Sequence, residues 1–151
     1  MNLRKVLTPS AINVALKSSA KDAVIGELMD LLMATGKIRD LDARQKAIQA
    51  VLDRERKMST GMQNGVAIPH GKTDTVDTLV AAIGLKKEGV DFQALDGQPS
   101  RIFVMTLSPD TRTGPHIQFL AEISRQLSDA AVRERILKAA TPEEVLDILA
   151  P

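Results

Sequence analysis

Two kinds of hydrophobic spacing divide this chain, and their order restricts the fold more than any other property. Between Lys21 and Arg56, and again from Pro115 to Leu149, apolar residues recur at helical intervals. Between Gly65 and Leu107 they gather into short runs, Val66–Ile68, Leu79–Leu85 and Arg101–Leu107, which read as strands. Helices before and after a block of strands predict an α/β sandwich with a central mixed β-sheet and helices on both faces. A further run, Ala11–Leu16, predicts a short buried strand near the start. Turn residues are spread evenly and no repeat or linker is visible, so the 151 residues are expected to form a single domain, 1–151.

Local signals place the boundaries. Ser18 and Ser19 are candidate caps for a helix over Lys21–Thr35, with Leu28, Leu31 and Leu32 as its core stripe and Gly36 at its end. Asp40 is expected to cap a second helix to about Arg56, with Leu41, Ile48, Val51 and Leu52 on its buried face. Asp96-Gly97 marks a turn between strands. Pro115 suits a first helical turn, followed by Ile117, Leu120, Ala121, Ile123 and Leu127 at helical spacing. Ser128 is the expected cap of the next helix, and Thr141-Pro142-Glu143-Glu144 reads as a capping box opening the last.

Several function classes are disfavoured early. Formal net charge is +1 and the only aromatics are three phenylalanines, so neither a field for a polyanion nor a stacking platform for bases is present. The absence of cysteine excludes disulfides and thiolate zinc sites and fits a reducing compartment. The richest apolar run, Leu28–Ala34, is interrupted by Asp30 and far short of the roughly 20 residues that cross a bilayer. Met1–Ser10 lacks the features of a secretory leader, so a cytoplasmic location is expected.

The stretch Asn64–Thr73, NGVAIPHGKT, carries the chemistry. Its tail resembles a P-loop, but such a loop needs glycine, four residues, then Gly-Lys-Ser/Thr, and Gly65 lies one place too early. Pro69 removes an N–H donor from the would-be cradle, and the residues after Thr73 lead into a strand instead of a helix. A nucleotide hydrolase is therefore disfavoured, and Lys72 falls back to a bystander. What remains unusual is His70, between a proline that keeps the backbone extended and a glycine that lets the chain turn away. Near neutral pH an imidazole is a nucleophile, the chemistry of a phosphohistidine carrier. A lone loop histidine is more often merely polar, and the residues themselves leave both readings open.

Arg54-Glu55, Ser59-Thr60-Gly61 and Gly65–Gly71 (GVAIPHG) together closely resemble the signature of the fructose/mannitol-type (type-2) enzyme IIA domains of the bacterial phosphoenolpyruvate-dependent sugar phosphotransferase system. That family includes the nitrogen-regulatory enzyme IIA proteins, and the resemblance runs from about Leu3 to Leu149. It implies a phosphotransferase without metal or organic cofactor. His70 would take a phosphoryl group from a small phosphohistidine carrier protein and pass it to a cysteine of a downstream IIB-type component, or hold it as a signal.

The resemblance also places a second histidine on His116, at the start of a helix suited to neutralising phosphate. It makes Arg54 a candidate phosphate ligand, against a solvated helix end, and gives Ser59 and Thr60 hydroxyls that either reach the phosphate or stabilise a turn. A regulatory docking module controlling a transporter or kinase, switched by His70 phosphorylation, is the alternative. Gln63 stands where the family usually has a small residue, which bears on partner choice.

Overall fold

The computed structural model describes residues 1–151. Five strands, β1 (Ile12–Asn13), β2 (Val66–Ala67), β3 (His70–Lys72), β4 (Val80–Val90) and β5 (Ser100–Ser108), form one mixed sheet. Its order is β1-β4-β5-β2, with β3 also paired to β5. β4 and β5 are antiparallel, while β1 runs parallel to β4, and β2 and β3 run parallel to β5. The expected central mixed sheet is thus present. The first strand is shorter than Ala11–Leu16, and β4 runs five residues beyond Leu85 through an irregularity in its ladder.

Strand alternation assigns two cores. Ala82, Phe103, Met105 and Leu107 face α1 (Lys21–Ala34) and α2 (Leu41–Lys57). The intervening Ala81, Ile83, Ile102 and Val104 face α3 (Gly114–Leu127), α4 (Ala130–Lys138) and α5 (Pro142–Leu149). Side chains one residue apart on a strand point to opposite faces, so an unbroken apolar run such as IFVM is what a strand covered on both sides requires.

Several local expectations are corrected. Neither Ser18 nor Ser19 caps α1: the cap position is Ala20 without a side-chain bond, and the backbone amides of Lys17 and Ser18 instead donate to Glu27. Asp40 does cap α2, accepting from the Ala43 amide at 2.8 Å. The buried face of α2, however, is Ala43, Ala47, Val51 and Glu55, with Leu41 74% exposed; the small Ala43 and Ala47 let the helix lie close on the sheet. Ser128 ends α3 and Asp129 caps α4. On α3 the inward positions are His116, Phe119, Ile123 and Leu127, while Ile117 and Ala121 face outward.

A tight constraint lies where α2 crosses β3. A Cβ at Gly71 would sit 3.0 Å from the Val51 nitrogen and 3.1 Å from the Ala50 carbonyl carbon, both backbone atoms. Gly71 therefore admits the helix; it lies within a strand and does not turn the chain, contrary to the sequence expectation. Gly71→Ala is expected to push α2 off the sheet and cost about 1–3 kcal/mol. In a thermal melt this appears as a fall of roughly 2–10 °C; an unchanged melt would show that the helix yields freely.

Candidate functional site

Two histidines distant in sequence meet on the α3 side of the sheet. In β3 the side chains of His70 and Lys72 share a face, and His70 stands opposite Thr106 of β5 in the parallel ladder. His116 enters from the first turn of α3 as the leading residue of that helix's buried stripe. The two ring centroids are 5.4 Å apart, with planes tilted by 56°.

Main-chain geometry fixes the His70 ring. Its Nδ1 lies 2.9 Å from the Ile68 carbonyl oxygen, which only accepts, so Nδ1 carries the proton and donates it. Nε2 is then the unprotonated nitrogen, and it has no hydrogen-bond partner in the chain. Just upstream, the Asn64 and Gly65 φ values are 65° and 75°, the sign pair of a tight hairpin turn. That turn folds Thr60–Met62 back against Val66–Ile68: Met62 N donates to the Val66 oxygen and Ile68 N to the Thr60 oxygen. The Asn-Gly pair is the strongest hairpin signal in the sequence, hidden behind the P-loop resemblance.

His116 is only 7% exposed, and its Nε2 lies 2.9 Å from the Thr106 hydroxyl. Burial, helped by the neighbouring His70 and Lys72, pushes its pKa down to about 4, so the ring is neutral at neutral pH. Lys72 is exposed and shares the face of His70, and its charge contributes to lowering the His116 pKa.

None of the remaining sequence candidates bonds to either ring. Ala50 and Lys46 of α2 line a cleft with Lys72 and Thr73, and Val51 covers Gly71; Arg54 stands one turn further along the same helix. One Arg54 N–H donates to the Met58 carbonyl at 2.7 Å, leaving the other guanidinium donors without protein partners. The Ser59 hydroxyl donates to the Phe92 carbonyl at 2.6 Å, and the Thr60 hydroxyl to buried Glu55 at 2.6 Å. Both hydroxyls are engaged in holding the loop.

Three participants escaped sequence reading. The Ile68 carbonyl is main chain and has no signature. Thr106 had one: it is the only polar residue inside the apolar stretch Ile102–Leu107. Glu55, which stands in the charged run Arg54–Lys57 at the end of α2, is 5% exposed. No group of metal-ligating side chains is present, and no helix is long and apolar enough to cross a membrane.

Two solved IIA proteins share this mixed-sheet architecture. The nitrogen regulatory protein IIA-Ntr from Neisseria meningitidis superposes with a TM-score of 0.87 at 29% identity, covering 97% of this chain and 98% of that one. Enzyme IIA for mannitol from Escherichia coli, solved in complex with phosphorylated enzyme IIB, gives 0.80 at 26% identity, with 95% and 96% covered. Within that class the chain belongs to the family of the phosphoenolpyruvate-dependent sugar phosphotransferase system, EIIA 2, whose model matches residues 5–151. A fructose-specific EIIA component from Haloferax volcanii is 38% identical over 87% of this chain and 84% of its own length. The chain is also 34% identical, over 99% of its length, to the fructose-specific EIIABC component of Bacillus subtilis, of which it spans 23%.

Proposed function

We propose that His70 is the phosphoryl acceptor of this phosphotransfer component. The observation that carries the reading is the bond from Nδ1 to the Ile68 carbonyl, which leaves Nε2 bare at the surface beside a second imidazole. The Nε2 lone pair attacks the phosphorus of a phosphohistidine on a small carrier protein. As the new N–P bond forms, the donor's N–P bond breaks, and its electron pair returns to the donor imidazole. The Ile68 carbonyl retains the Nδ1 proton throughout and stabilises the charge that develops on the ring.

The phosphoryl oxygens fall near the first turn of α3, whose amides favour anions, and near Lys72 and the free donors of Arg54. His116, neutral before transfer, takes up a proton more readily once a phosphate stands beside it. A IIB-type cysteine is the proposed acceptor, supported by the complex that the related mannitol protein forms, and the proposed setting is the cytoplasm. Similarity to the IIA-Ntr protein over 97% of the chain favours a second use of the same site, as a phosphorylation-switched docking module.

The test is direct. Incubation with phosphoenolpyruvate and the two general components should add one acid-labile phosphoryl group, and peptide mapping should place it on His70. A label on any other residue sinks the assignment. Onward transfer to a IIB-type cysteine then separates transport from signalling.

A further inference from the structure

A continuous path of hydrogen bonds leads from the interior of α2 to the nucleophilic ring, and it starts at a carboxylate with no assigned part in the chemistry. Glu55 is 5% exposed, a costly place for a charge without partners. One oxygen accepts from the Thr60 amide at 2.7 Å and from the Lys21 ammonium at 3.0 Å; the other accepts from the Thr60 hydroxyl at 2.6 Å. Lys21 is itself held by the Phe92 carbonyl and lies over the Phe92 ring. Thr60, gripped twice, presents its carbonyl to the Ile68 amide at 3.1 Å. Ile68 in turn presents its own carbonyl to His70 Nδ1.

We propose that Glu55 is a positioning residue for phosphoryl transfer, holding Thr60, and through Thr60 the Ile68 carbonyl, so that His70 keeps its proton on Nδ1 and its bare nitrogen toward the incoming phosphorus. The inference rests on His70 being the phosphoryl acceptor. The competing account is structural: Glu55 stabilises the loop, while β5 alone holds the segment before His70 through the bond from the Thr106 amide to the Pro69 carbonyl at 3.0 Å.

These accounts predict different spectra. In the unphosphorylated wild type, the imidazole nitrogen shifts of His70 should report one tautomer. In Glu55→Ala the Ile68 carbonyl loses its support, both tautomers become populated, and the initial rate of His70 labelling falls about 10- to 100-fold, the scale of a small misplacement of reacting groups. Glu55→Gln retains an oxygen for the Thr60 amide and a nitrogen that the Thr60 hydroxyl can bond, so it should restore the single tautomer and most of the rate.

Should Glu55→Ala fail to fold, Thr60→Val removes one of the two grips within a near-isosteric shape and should show a second tautomer with a smaller loss of rate. A folded Glu55→Ala with one tautomer and a wild-type rate overturns the proposal, as does an unchanged tautomer in Thr60→Val when Glu55→Ala is unfolded. If the wild type itself is not labelled on His70, the reading of the site fails instead, and the tautomer comparison, which needs no phosphate, still reports on Glu55.

Discussion

A chain carrying His70→Gln is expected to accept no measurable phosphoryl group while keeping the fold of the wild type. The amide of glutamine places a nitrogen near the lost Nε2, but its lone pair is delocalised into the carbonyl and does not attack phosphorus. Removing the covalent nucleophile of an enzyme costs on the order of a millionfold, which in a labelling experiment means none. His116 does not take over, because it is 7% exposed and its Nε2 is occupied by Thr106. Stability should be little affected, since His70 is only half-buried and its strand is held by main-chain bonds to β5. Labelling of His70→Gln at the wild-type level would mean that another group carries the phosphate.

The second large effect is on stability against pH, and His116 sets its direction. In the fold its pKa is lowered from 6.5 to about 4, so between those values the unfolded chain binds a proton that the folded one refuses. Stability from this group is therefore complete above pH 6.5 and is lost as pH falls toward 4. The gap corresponds to on the order of 3 kcal/mol. Unfolding by urea, followed from pH 7.5 to pH 4, should show that decline, and His116→Gln should remove most of it. A wild-type profile flat over this range would mean that His116 is protonated in place at little cost. Phosphorylation of His70 should raise the His116 pKa by putting a negative charge beside it, which a proton NMR titration of the two forms would detect.

Much of this was legible from residue order alone. The switch from helical to strand-like spacing at Gly65 announced the sheet, and Asp40 and Thr141 announced helix starts because a capping side chain acts within three residues of itself. Ser18 and Ser128 misled for the same reason: a cap signal says that a helix is near, while packing decides which residue the chain leaves by. Leu41 and Ile117 were placed inside on apolarity, yet Ala43 and His116 took the inward positions, since the phase of a helix is set by what it must touch.

At the site, His70 stood out because Pro69 and Gly71 flank it, although the reason for Gly71 was wrong. Its role depends on Val51, twenty residues earlier, and no local pattern shows a close approach across that distance. The Ile68 carbonyl and the Glu55–Thr60 pairing were illegible for a related reason: a main-chain acceptor has no identity in a sequence, and a glutamate among Arg54, Arg56 and Lys57 looks solvated until the helix is docked.

Thr106 occupies the middle of this arrangement. Its amide donates to the Pro69 carbonyl, its register partner is His70, and its hydroxyl meets His116, so one residue of β5, flanked by strands on both sides, references both rings. For a carrier that must receive from one protein and deliver to another, this amounts to a fixed gauge: the spacing of the two imidazoles is set from behind, by the sheet, and not by whichever partner is docked in front. An internal ruler of this kind keeps the two rings in one register from within the fold, whatever stands in front of them.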